Sequence, residues 1–254
     1  MIYVDICGGL GNQMFQYAAG LALAQSHNTE LALILSNSRD YLHPYSLPSF
    51  KLRDYKGEFE TPKNRLQDIG LMYNDKFFNI KDGERIYGYF QNENYFKHIK
   101  NSIYEDFRLD LDVKRSLIMP SQHCCSLHVR RGDYLSPVNI KRHGCLSLEY
   151  YKKAIEIVNS KTNIKSFLVF SNDVKWCKEN FNFGNYTFTF AENKPDYVEV
   201  IQMSMCDAHI IANSTFSWWG AWLNKNKNAV VICPGKWYAD GAKTDIVPER
   251  WIKI

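Results

Sequence analysis

Apolar and polar positions follow two rhythms along this chain, and the first half opens with both. Ile2-Tyr3-Val4-Asp5-Ile6 is a short, nearly continuous apolar run, which predicts a buried strand. Gly8-Gly9-Leu10-Gly11-Asn12-Gln13 reads as a glycine-rich turn, residues 14–26 as a helix rich in Ala and Leu, and residues 31–35 as a second strand. Strand, turn, helix and strand in that order begin a parallel sheet. From residue 36 to about 82 the sequence is polar, aromatic and broken by prolines, which predicts short elements and loops. Ile86-Tyr87-Gly88-Tyr89-Phe90 reads as a strand. Residues 94–107 read as a helix, with Tyr95, Phe96, Ile99, Ile103 and Phe107 near helical spacing. Residues 108–121 form a charged connection, and the domain boundary is expected there, giving halves 1–115 and 116–254.

The second half is more regular. Cys124-Cys125-Ser126-Leu127 predicts a buried strand, and Gly132, Pro137 and Gly144 predict irregular chain until Leu148. Residues 148–158 form a helix with Tyr151, Ile155 and Val158 on one face. Residues 167–170 follow as a strand, and Ser171-Asn172-Asp173 caps the next helix at 174–180. A strand at 186–190, a helix at 197–205 and a short strand at 209–211 come next. The turn Asn213-Ser214-Thr215-Phe216-Ser217 opens a helix through Trp218, Trp219 and Trp222. A strand at 230–233 then ends at Pro234-Gly235. Such alternation predicts a doubly wound α/β half.

Composition narrows the class. The chain has 254 residues and a formal net charge of +4, which fits an anionic small ligand or loose contact with an acidic membrane surface rather than nucleic acid. Its seven cysteines include no C-x-x-C pair, which points to reduced, mostly buried thiols and a cytoplasmic setting. No signal peptide is expected, and the apolar stretch at 18–24 is too short to span a bilayer.

Candidate chemistry gathers at His128-Val129-Arg130-Arg131-Gly132-Asp133-Tyr134, at the carboxyl end of a predicted strand. Ligands bind there in open α/β sheets. A guanidinium suits phosphate, because its planar fork matches two oxygens and its charge does not titrate away. Asp133 can orient an arginine or accept a proton; an ordinary surface Arg–Asp pair is the plain alternative. The 8–13 turn fails the dinucleotide G-x-G-x-x-G spacing. It can still present backbone N–H groups at Gly11 and the Asn12 side chain to a ligand. At 213–217, hydroxyls and free N–H groups at a helix start make an anion site, or else an ordinary N-cap. Two anion-compatible turns on one sheet favour a diphosphate.

With these residues in view, the chain resembles the bacterial α-1,2-fucosyltransferases of glycosyltransferase family eleven. The resemblance runs through residues 8–17, Gly88-Tyr89-Phe90-Gln91, residues 128–134, His143-Gly144-Cys145, Phe170-Ser171-Asn172-Asp173, residues 211–222 and residues 248–253. It implies a GT-B-like fold of two Rossmann-like halves with the nucleotide-sugar site between them, the first half on the acceptor side and the second binding GDP-fucose. It further implies an inverting transfer of fucose to the 2-OH of a terminal galactose, in O-antigen or other surface polysaccharide synthesis, with no metal. By the same resemblance Arg130 holds the β-phosphate and His128 lies near the nucleotide. Asn213, Ser214, Thr215 and Ser217 line the diphosphate, and Gly11 and Asn12 approach the donor. Arg130, Asp133 and Asn12 are the expected catalytic groups, while Arg131 points elsewhere. Family members tend to carry Asp where this chain has Glu199; its longer carboxylate can still accept from guanine N1–H and N2–H, or simply be solvated. Three alternatives compete. One is a metal-dependent GT-A enzyme using Asp110-Leu111-Asp112. Another is an α-1,6- or O-linked fucosyltransferase, and the third a non-catalytic nucleotide- or glycan-binding module.

Overall fold

The computed structural model describes residues 1–35, 44–54, 57–68, 70–109, 112–113, 117, 123–192 and 194–254. The chain divides into two compact units, Met1–Asp110 with Thr244–Pro248, and Leu111–Lys243 with Glu249–Ile254. Most of the charged connection at 108–121, including Asp110, lies outside the described residues.

In the first unit, β1 (Ile2–Ile6), β2 (Leu31–Leu35), β3 (Leu66–Gln67) and β4 (Arg85–Tyr87) form one parallel sheet in the order β2-β1-β4-β3. Helix α1 (Leu10–Ser26) crosses it. Gly20 allows close packing, since a Cβ there would fall 2.4 Å from Val4 Cγ2. The glycine-rich segment is less turn-like than its composition predicts. Helix α1 starts at Leu10, not Met14, because the Gly9 carbonyl accepts from the N–H groups of Asn12 (2.9 Å) and Gln13 (3.1 Å). Gly11 and Asn12 therefore occupy its first turn. The strand predicted over 86–90 stops at Tyr87. Gly88 offers its carbonyl to Gln16 Nε2 (3.0 Å) instead of continuing the ladder, and Phe90 adopts φ +49°. The helix predicted over 94–107 breaks at Phe96, φ −143°, into 3₁₀ turns followed by α2 (Lys100–Asp106). Residues 244–248 return to this unit through Asp245. Its carboxylate accepts from Tyr73 N–H (2.9 and 3.1 Å), and its carbonyl accepts from Asn92 Nδ2 (3.0 Å).

The second unit holds β5 (Cys124–Val129), α3 (Pro137–Arg142), α4 (Leu148–Thr162), β6 (Ser166–Ser171), α5 (Val174–Asn180) and β7 (Thr187–Phe190). It continues with α6 (Asp196–Ser204), β8 (Ala208–Ile210), α7 (Thr215–Trp222), β9 (Val230–Cys233) and β10 (Ile252–Lys253). All six strands are parallel, in the order β10-β9-β8-β5-β6-β7. Counted from β5, this is the doubly wound order 3-2-1-4-5-6 read from the β7 edge. Every residue of β5 is buried, as a central parallel strand covered on both faces requires. Leu127, Val129, Ile155, Phe167, Val169 and Ile210 meet in its core. Trp218, Trp219 and Trp222 of α7 are fully buried and pack ring against ring. The segment before Leu148 is not irregular throughout. After a 3₁₀ turn at Gly132–Leu135, Pro137 opens α3 while the Ser136 hydroxyl accepts from Asn139 N–H (3.3 Å). Helix α4 runs on to Thr162 and ends where Asn163 turns left-handed, φ +59°.

Candidate active site

In the second unit the direction in which successive strands are added to the sheet reverses between β5 and β8, which are direct parallel neighbours. The crevice beyond the carboxyl ends of those two strands is where a doubly wound sheet binds its ligand. His128 and Arg130 stand at the end of β5, and the 213–217 turn follows β8.

Arg130 is a quarter exposed, and its Nη2 donates to Asp133 Oδ2 at 2.9 Å. Its Cζ lies 5.2 Å from the Tyr134 ring centre. Among the described residues, Arg130 Nε and His128 Nδ1 are buried polar atoms with no hydrogen-bond partner. Buried donors and acceptors in a native protein are nearly always paired, so these two atoms stand out. Burial, with Arg130 adding to it, pushes the His128 imidazole down to about 3. It is therefore a neutral ring at working pH. Its face lies 5.6 Å from Phe216, in the first turn of α7.

Arg131 does different work. Its Nε donates to Asp173 Oδ2 (3.1 Å), its N–H donates to Asn172 Oδ1 (2.9 Å), and its guanidinium lies 4.1 Å over Trp176. Asn172 also donates to Asp133 Oδ1 (3.1 Å), so one side chain ties both neighbours of Gly132. Gly132 has φ +39°, and a Cβ there would meet Asn172 Nδ2 at 2.4 Å. Asp133 thus holds Arg130 and receives Asn172. The sequence marks Asn172 only as part of a helix cap; its bridging role depends on β5 and β6 being neighbours.

At the second turn, Ser214 is the N-cap of α7 in extended conformation, yet its hydroxyl makes no capping bond. Two expected donor contacts are spent inside the protein. Asn213 Nδ2 donates to the carbonyls of His143 (2.7 Å) and Trp237 (3.1 Å), so this amide builds the turn rather than reaching outward. Ser217 is buried, and its hydroxyl donates to the Ser214 carbonyl at 3.3 Å. Ser214 is also buried, while Thr215 is partly exposed. Tyr134 OH, to which the sequence assigns no role within the heptad, donates to the Asn213 carbonyl (3.1 Å) and links the two turns.

Beyond the carboxyl ends of β6 and β7 lies a cavity of about 500 Å³, lined by Ser171, Val174, Lys175, Ala191, Glu192 and Glu199 among others. Burial, reinforced by Asp196, raises the Glu199 carboxyl to about 7. It is partly buried rather than fully exposed. In the first unit, Asn12 Oδ1 accepts from Gln91 Nε2 (2.9 Å), and Gly8 takes φ +74° against the Asn12 side chain. Asn12 is thus held within its own unit at the start of α1.

Two α/β units, each built on a parallel sheet and the second doubly wound, have the makeup of a GT-B glycosyltransferase fold. The fold matches the crystal structure of NodZ, an α-1,6-fucosyltransferase soaked with GDP-fucose, with a TM-score of 0.52 at 13% identity, covering 87% of this chain and 92% of that one. The glycosyl transferase family 11 model matches residues 1–254, and the chain belongs to that family. It is 31% identical over 305 residues to the O-antigen biosynthesis glycosyltransferase WbnK of Escherichia coli, covering all of both chains. It is 32% identical over 289 residues to an alpha-1,2-colitosyltransferase of Escherichia coli, covering 100% of this chain and 99% of the relative.

Proposed function

We propose that this glycosyltransferase moves L-fucose from GDP-fucose to the 2-OH of a terminal galactose, with inversion, during surface polysaccharide synthesis. The observation that carries the donor assignment is the pair of buried, unpartnered atoms Arg130 Nε and His128 Nδ1 beside the uncapped start of α7. Cleaving the sugar C1–O bond leaves added negative charge on the β-phosphate. A guanidinium and a helix N-terminus aimed there stabilise the transition state more than the ground state. Arg130 supplies a full charge and α7 adds roughly half of one. Ser214 and Thr215 hydroxyls complete the shell, so the leaving group needs no metal.

Guanine fits the 500 Å³ cavity, with Glu199 accepting from N1–H and N2–H. In this reading the second unit binds the donor and the first unit serves the acceptor side, while Gly11 and Asn12 keep their expected role toward the donor. Asp133 is occupied with Arg130 and Asn172, which favours an orienting role over that of base. Inversion implies direct attack by the acceptor hydroxyl. The α-1,2 linkage is supported by the colitosyltransferase and by a human galactoside alpha-(1,2)-fucosyltransferase 1, 27% identical over 234 residues. Seven free thiols support a cytoplasmic enzyme, and the net charge of +4 supports loose contact with the inner membrane face, where a lipid-linked acceptor would lie. Among the described residues no helix is long and apolar enough to cross a membrane.

A second donor is favoured by one observation, the colitosyltransferase likeness over the full chain. Colitose is fucose without its 3-hydroxyl. The deciding experiment offers GDP-fucose and GDP-colitose with a panel of galactosides and reads product linkage by NMR. Transfer of fucose to O2 of galactose is the expected result. Transfer of colitose alone, or a product linked elsewhere, overturns the assignment.

A further inference from the structure

Three rings and two guanidiniums form a continuous column beside the second unit's switch point. Arg130 Cζ lies 5.2 Å from the Tyr134 ring centre. Tyr134 stacks on His143 at 4.7 Å with planes 19° apart, and His143 meets Tyr238 at 5.8 Å. Arg142 closes the far end, 4.2 Å over Tyr238, and its Nη1 donates to Asp240 Oδ2 (2.5 Å). Asp133 holds the near end through Arg130. A cation over an aromatic face is attracted by the ring quadrupole, so each guanidinium favours the column it caps.

The column is also bonded to the serine turn twice. Tyr134 OH donates to the Asn213 carbonyl, and the His143 carbonyl accepts from Asn213 Nδ2. The same two residues that support the Arg130 guanidinium therefore fix the loop from which α7 starts. An arginine and a helix N-terminus that serve one diphosphate must keep a set spacing. Small displacements of catalytic groups are costly, about 10²-fold in rate for 1 Å.

We propose that Tyr134 and His143 are positioning residues that hold Arg130 in register with the start of α7, so that both act on the same leaving group. His143 acts here through its stacked ring and its backbone carbonyl rather than as an acid or base. Burial, then the neighbouring Arg142, lowers its pKa, against a smaller opposing pull from Asp133 and Asp240. The proposal rests on the donor reading given above.

The test compares Tyr134→Phe, Tyr134→Leu, His143→Ala and His143→Phe with wild type and with Arg130→Ala. The readouts are kcat with GDP-fucose, Kd for GDP and the melting temperature. His143→Phe keeps a stacking ring and should retain near-normal kcat. Tyr134→Leu and His143→Ala should lose about 10²-fold in kcat, while GDP affinity falls by less than about tenfold. Tyr134→Phe, which loses only the link to Asn213, should fall between. Should Tyr134→Leu fail to fold, the contrast between His143→Phe and His143→Ala carries the test. Normal kcat in His143→Ala, or a His143→Phe as poor as His143→Ala, overturns the proposal. So do equal losses in kcat and GDP affinity that track the melting temperature. If Arg130→Ala is itself active, the donor reading has failed, a result distinct from failure of the column alone.

Discussion

GDP affinity should depend on pH through Glu199, and the dependence can be worked out in advance. In the free protein, burial and then Asp196 raise this carboxyl from 4.5 to about 7. A shift of that size makes ionised Glu199 costly by roughly 3 kcal/mol before solvent screening, which a half-buried group still feels. The sign for stability follows. Between its unfolded value and about 7 the folded protein holds more protons, so unliganded stability falls as pH rises through that window. Guanine reverses the preference, because its N1–H and N2–H favour the charged carboxylate and draw the pKa back down. Binding then requires loss of the Glu199 proton below pH 7 and no such loss above it. GDP affinity should fall about tenfold from pH 8 to pH 6 by linkage. At pH 7 binding should release about half a proton from this group. Calorimetry in buffers of different ionisation enthalpy measures the release directly. Glu199→Gln provides the control, since it removes this titration and leaves any protonation of GDP itself unchanged. The variant should bind GDP more weakly, by about 1–3 kcal/mol for the imperfectly paired guanine edge, and should lose the added pH slope. Identical slopes in wild type and Glu199→Gln would refute the reasoning and remove Glu199 from the guanine site.

Arg130→Ala should abolish transfer with little change in melting temperature, and Arg130→Lys should not restore it, because lysine lacks the planar fork. Arg131→Ala should instead lower the melting temperature through its lost contacts to Asp173 and Trp176 while leaving measurable activity. Asn213→Ala should destabilise by about 1–3 kcal/mol, read from denaturant unfolding, since one buried and one partly buried carbonyl lose their donor. Activity should survive exhaustive chelation, and Asp110→Ala with Asp112→Ala should be nearly neutral; loss on chelation with rescue by manganese would return the D-x-D string to the site.

The strands were the most legible part of the fold. A parallel strand covered on both faces must be apolar nearly throughout, so Val230-Val231-Ile232-Cys233 announces itself and coincides with β9. What stayed hidden depended on a few backbone bonds. Leu10-Gly11-Asn12 looks like a turn because two of its neighbours are glycines, yet bonds from Asn12 and Gln13 to the Gly9 carbonyl make it helix. Helix α3 carries Val138 and Ile140 exposed, so no apolar stripe advertises it; its signal is the Ser136-Pro137 start. Strand β10, two residues long, has no pattern to read.

The site divides along the same line, between residue type and atom. That arginines and hydroxyls gather at strand ends is visible in the sequence, because strand ends and helix starts can be placed there. Which atoms stay available is not visible, because it depends on partners brought in by the sheet order. Arg130 and Arg131 show the difference. Adjacent residues leaving a strand point to opposite sides, so only one of the pair can face a given crevice. Asn172 and Asp173, at the end of the neighbouring β6, capture Arg131 and leave Arg130 Nε buried and without a partner. Had the sheet placed β6 elsewhere, the same heptad would offer both arginines or neither. Asn213 makes the parallel case after β8. Its amide looks outward in sequence but is drawn inward by the carbonyls of His143 and Trp237, from loops far along the chain. The doubly wound order therefore decides which of several suitable side chains is bonded within the protein and which keeps an unpartnered atom.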